Sequence, residues 1–201
     1  AGKIKEAEAM ITRAYSMDKT LHNLHTNIAW KHFRPRNDYG TIDIWISKDE
    51  SAGRLINQRL AQKAEVILHT DGFEAAANAV LKAYETDPTL KNELSRLAWK
   101  HWIPRDKAYE KVVPYFEIDR DRGRLAGNMW IRYAQALALV EREEEAHEIL
   151  DRINAEDHKV KNSYSRLGYL RHFVFRFEPE EALKWIEKDV TNKRLEGRFM
   201  I

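Results

Sequence analysis

The chain has 201 residues with 8 Gly, 5 Pro, no Cys, 33% charged residues and a formal net charge of +2. Scarce helix breakers predict a helix-rich chain, the missing cysteines exclude disulfides, thiolate metal sites and a cysteine nucleophile, and so small a net charge supplies no bulk field for nucleic acid. The longest apolar stretches fall far short of the ~20 residues that span a bilayer, and the first residues do not read as a signal peptide, so a cytoplasmic location is expected.

In chain order, Ile4, Ala7, Ile11 and Ala14 recur three or four apart and predict a helix over 3–16. Asp18-Lys-Thr20 is a turn, and a second helix is expected over 21–33, ended by Pro35 because proline disfavours helical geometry in the residue before it. Residues 38–47 alternate Ile42, Ile44 and Ile46, which alone suggests a strand. Their counterpart 140 residues on, Glu180 to Glu187, is plainly helical, so a short helix is predicted there too. Further helices are expected over 51–70, 73–86, 89–102, 105–117, 123–140, 143–154, 160–174 and 179–190, with Pro104 at a boundary, Pro114 near a helix end and Pro179 at a helix start.

One stretch occurs twice. Ile11 to Arg36 and Val80 to Arg105 share twelve of 26 positions, including Ala-Trp-Lys-His at 29–32 and 98–101. A third, weaker copy aligns Lys161 to Tyr169 with Lys91 to Trp99, and Gly53-Arg-Leu55 recurs as Gly123-Arg-Leu125. The unit is therefore about 70 residues and holds four helices, with boundaries near 1–52, 53–122 and 123–192 and a partial remainder. The absent initiator Met and the Arg198 to Ile201 ending lead us to expect a segment of a longer protein.

Half of that unit matches the ~34-residue hairpin of tetratricopeptide arrays. Leu60, Ala64, Ala76, Val80, Ala83 and Asp87-Pro88 fit that family's large–small–small pattern and closing turn; Trp130, Ala134, Ala146, Leu150, Ile153 and Asp157 fit again, and Ala7, Ile11, Ala14 and Asp18 supply the later half. The chain thus resembles tetratricopeptide-repeat proteins. The resemblance implies an all-α fold, a single right-handed α-α superhelix (an α-solenoid) of about ten or eleven helices. The hairpins with Trp30, Trp99 and Tyr169 depart from the pattern, having bulky Trp45, Tyr115 and Trp185 in their second helices.

In that family the first helix of each hairpin lines a concave, partner-binding face. The resemblance would place there Asn23, Thr26, Trp30 and Phe33; then Asn92, Ser95, Trp99 and Trp102; then Asn162, Ser165 and Tyr169, with His172 or Phe173. Arg36 and Arg105, with Lys31, Arg34, Arg96, Lys100, Arg166 and Arg171 nearby, would make the groove basic. Spacings of three and four keep each set on one stripe. Trp30 and Trp99 read equally well as packing residues or as ligand platforms, and the Asn series is expected to serve binding.

No Gly-rich phosphate loop, nucleophile elbow or His-Glu-x-x-His occurs. His22 and His25 lack a nearby third ligand, and Glu144-Glu-Ala-His147 lacks the second copy that a di-iron bundle needs. No catalytic residue, metal or cofactor is therefore expected. The expected function is a non-enzymatic scaffold for an extended, acidic protein or peptide. Alternatives are an accessory module of a glycan-assembling or glycan-modifying enzyme, which would bind polysaccharide, and an RNA-processing scaffold, against which the low net charge counts. Self-association is a further possibility for an open-ended array.

Overall fold

Helix-favouring composition and three-and-four apolar spacing produce a chain with no strand among its described residues. A computed structural model describes residues 2–156 and 161–197. Eleven α-helices run in order: α1 Gly2–Met17, α2 Leu24–Phe33, α3 Tyr39–Ser51, α4 Gln58–Thr70, α5 Phe73–Thr86, α6 Glu93–Asp106, α7 Tyr109–Asp121, α8 Asn128–Leu139, α9 Glu143–Glu156, α10 Ser163–Gly168 and α11 Pro179–Thr191. A 3₁₀ turn, Arg34–Arg36, follows α2, and α10 continues as a π-helical segment, Tyr169–Phe175. Consecutive helices pack as hairpins, α2 on α3, α4 on α5, α8 on α9 and α10 on α11. The expected all-α class of helical hairpins is what the chain adopts.

The chain forms two compact units, residues 1–93 and 94–201. In the first, Ile11, Tyr15, Ala29, Phe33, Ile42, Trp45, Ile46, Leu55 and Val66 form one buried cluster. The small residues Ala64, Ala76 and Ala83 are buried, as close helix approach demands. In the second, Phe116, Tyr133, Leu137, Leu150 and Leu167 are fully buried, with Ala134 and Ala146 between them. Asp157 lies outside the described residues.

The alternating isoleucines resolve as helix: Ile42 and Ile46, one turn apart, are buried and Ile44 is exposed. Several boundaries differ from expectation: the helices expected over 89–102 and 105–117 run four residues later, as α6 and α7, and four other starts are late for a backbone reason. α2 and α10 start at 24 and 163 because Asn23 and Asn162 adopt left-handed geometry, φ 58° and 54°, just before them. Expected helices at 51–70 and 123–140 begin only at 58 and 128. The preceding helices α3 and α7 close at Gly53 and Gly123, φ 65° and 63°, with the Arg54 and Arg124 N–H groups donating back to the Asp49 and Asp119 carbonyls at 2.7 Å each. Pro104 and Pro114 lie inside α6 and α7 rather than at their ends. Both prolines are exposed.

Candidate functional site

Three fully buried aspartates, Asp49, Asp119 and Asp189, stand 70 residues apart at the ends of α3, α7 and α11. Each reaches the start of the preceding helix. Asp49 Oδ2 accepts from the Thr26 N–H and hydroxyl, both at 2.8 Å. Asp119 Oδ2 accepts from the Ser95 N–H at 2.8 Å and hydroxyl at 2.6 Å, and Asp189 Oδ2 from the same two groups of Ser165 at 2.7 Å each. An N-terminal helical N–H needs an acceptor, and here a remote carboxylate supplies it and welds one helix end to another.

The asparagines complete the clamp. Asn23 donates its N–H to the Arg54 carbonyl at 3.0 Å. Its side chain accepts from the Ile56 N–H at 2.9 Å and donates to the Ile56 carbonyl at 3.3 Å. Asn162 repeats this on Arg194 and Glu196, at 3.0 Å from its N–H, 2.7 Å to its Oδ1 and 3.0 Å from its Nδ2. Asn92 has the same left-handed backbone, φ 63°. Thr26, Ser95 and Ser165 are fully buried. The Asn–hydroxyl part of the expected groove is therefore internal bracing: Asn tolerates the left-handed region, and its amide ties down the loop after the neighbouring helix. Asn23→Ala should destabilise the first unit by about 2 kcal/mol, and Asn23→Gly, which regains the backbone but not the amide, by about half that; urea midpoints separate the two.

Phe33 is also internal, buried 6.0 Å from Trp45. Arg171 is buried and paired with Glu143 at 2.8 Å, so it faces no groove. His172 is buried against Glu178 at 2.9 Å, and the Phe173 side chain lies outside the described residues. His25 contacts the Asp49 carboxylate at 2.9 Å while His22 is exposed, so the two do not converge. The His147 ring lies tilted by 31° against Trp185, with centroids 4.2 Å apart.

The aromatic and basic residues remain accessible. Trp30 is half-buried under the Arg34 guanidinium, 5.1 Å away, and Arg34 also pairs with Glu65 at 3.0 Å. Trp99 presents its edge to Tyr109 and Phe116, each at 6.0 Å, and carries Arg132 5.2 Å from its ring. Trp130 carries Arg152 at 4.2 Å. Beside it lies a cavity of about 310 Å³ with mixed charge, lined by Arg120, Glu145, Glu148, Ile149 and Arg152. Trp102 is half-buried against Tyr115, Tyr169 is 46% exposed, and Arg36 and Arg105 are exposed. Trp30 and Trp99 are thus packing residues on one edge and cation platforms on the other.

Arg132 is the electrostatic signature here. Its guanidinium is held below the ordinary arginine range, first by partial burial, although the residue as a whole is exposed, and then by the like charge of Arg96. Among the described residues no helix is long and apolar enough to cross a membrane. No family model matches this chain, and no curated protein or solved structure is significantly similar to it.

Proposed function

We propose that the chain is a non-enzymatic, tetratricopeptide-like scaffold that holds an extended acidic protein or peptide on its tryptophan–arginine surface. The observation that carries this reading is the Arg132 guanidinium 5.2 Å over the half-buried Trp99 ring, within the repulsive field of Arg96. A carboxylate or phosphate beside the Arg132 guanidinium would favour its charged form. Trp99 and Trp130 add rigid apolar area at small entropic cost. Exposed Arg36 and Arg105 extend the cationic character in each unit by itself.

The test is a labelled poly-glutamate peptide titrated against the full chain and followed by fluorescence anisotropy. Arg96→Ala/Arg132→Ala should weaken binding at least about tenfold, equivalent to ~1.4 kcal/mol. Both side chains are exposed, so helicity and melting temperature should be unchanged. Affinity should fall as salt rises. Equal affinity in the folded double variant, or no binding by the parent chain, would defeat the proposal.

A further inference from the structure

α11 bears an apolar outer face that its repeat counterparts do not expose. Leu183 is 56% and Val190 53% exposed, and Ile186 between them is half-buried. Residues 183, 186 and 190 share one helical stripe. Seventy residues earlier, at the equivalents on α7, Val113 is 4% and Phe116 0% exposed. Ile46 on α3, a further 70 residues back, is also fully buried.

What covers the earlier faces is visible within each unit. α4 packs on α3, and α8 on α7. The Tyr133 ring of α8 stacks on Phe116 at 5.4 Å, and Arg142, at the start of α9, pairs with Glu117 at 2.8 Å. The same register recurs in both copies. Glu50 pairs with Lys63, and Arg120 donates to the Tyr133 hydroxyl at 2.9 Å, a separation of 13 residues each time. Among the described residues no helix occupies the corresponding place on α11.

We infer that the outer face of α11 is an interface that seats one further helical hairpin of the α8–α9 kind. The side chains of α11 specify its chemistry. Val190 stands where Glu50 and Arg120 stand, so the residue facing it is apolar rather than charged. Glu187, exposed, stands where Glu117 binds Arg142, so the second helix of the hairpin opens with a basic residue. Leu183 and Ile186 take the apolar stripe of the first helix, as Val113 and Phe116 take that of α8. The interface continues a packing mode that the chain already uses twice.

The experiment extends the full chain so that residues 128–156 follow Gly197 a second time, and reads amide exchange in α11. Exchange over 183–190 should slow at least about tenfold, and Leu183→Asp should abolish that protection in the extended chain. In the parent chain the same substitution should leave the melting temperature unchanged, since Leu183 is exposed there. Unaltered exchange in an extended chain that has gained helix would overturn the inference. So would sedimentation of the parent chain as a dimer that Leu183→Asp dissolves, because a second copy would then be the occupant.

Discussion

Asp49→Ala should cost the first unit about 3–5 kcal/mol, a large fraction of a total stability of order 5–15 kcal/mol. The carboxylate is fully buried and joins three helices. Tyr15 of α1 donates its hydroxyl at 2.7 Å, the Thr26 N–H and hydroxyl of α2 donate at 2.8 Å, and His25 lies at 2.9 Å. Removing the acceptor strands all of these groups in a space that water does not reach, and a stranded buried donor costs about 1–3 kcal/mol. Asp49→Asn keeps one oxygen for Thr26 but presents N–H groups where Tyr15 and His25 sit, so an intermediate loss is expected. Tyr15→Phe removes one donor to Asp49 and the acceptor of the Leu24 N–H, which is 2.8 Å away; about 1–2 kcal/mol should follow. Chemical denaturation with tryptophan fluorescence orders the series. An Asp49→Ala protein as stable as the parent would remove the clamp from the account of the fold.

The same group fixes the acid limb of stability. Burial pushes the Asp49 carboxyl up, but the Thr26 N–H, the Tyr15 and Thr26 hydroxyls and His25 together hold it below the ordinary carboxylate range. A folded-state value below the unfolded one, near 3.9, means that its stabilisation is complete above that pH and is lost as pH falls through the folded value. Tyr15 has the opposite sense. Burial, and then the hydrogen bond to Asp49, push its phenol up to about 12, so its contribution is full below about pH 10 and fades as pH rises toward 12. In the second unit His147 is held below its ordinary range by burial and then by Lys188. The unfolded chain then binds the proton first, and stability declines as pH drops below about 6.5. Melting temperatures from pH 3 to 8 should show this decline, and His147→Gln should flatten its upper part.

Much of the fold was legible because helical periodicity and a 70-residue recurrence are both properties of residue order. The Ala and Trp positions carried that signal. The clamp was hidden because an aspartate near a helix C-terminus resembles a solvated charge, and only its third dimension shows that Thr26, Ser95 or Ser165 faces it. A signal existed: Asp49, Asp119 and Asp189 recur at a fixed distance before Arg54-Leu55, Arg124-Leu125 and Arg194-Leu195. The asparagines misled for a related reason. An amide looks superfluous to packing until the left-handed backbone that it tolerates, and the loop that it ties down, are seen. The starts of α4 and α8 were misplaced because Leu55 and Leu125 keep helical spacing while lying in a loop. The π-helical segment has no periodic signature that distinguishes it from α-helix over seven residues.

Gly168→Ala should destabilise the second unit by about 1–3 kcal/mol, the usual cost of overpacking a tight core, although the repeat itself recommends the change. Ala29 and Ala98 hold the equivalent positions, both fully buried, and alanine exceeds glycine in helix propensity by about 1 kcal/mol. Gly168 needs no special backbone, since its φ of −57° is helical. It is there for space. A β-carbon would stand 2.4 Å from the Trp185 Cβ, 2.9 Å from its Cγ and 3.2 Å from the Ala182 carbonyl oxygen. None of these is the far end of a flexible side chain, so relief requires α10 to move away from α11. That movement would loosen the buried Tyr164, Leu167 and Trp185. Trp185→Ala cannot rescue the substitution, because alanine keeps the β-carbon that makes the closest contact. The converse change, Ala98→Gly, should also destabilise, by about 1 kcal/mol through lost propensity and packing. Opposite residues are therefore optimal at one repeat position, because each hairpin sets its own helix separation. A Gly168→Ala protein with a raised melting temperature would show instead that propensity outweighs the close approach.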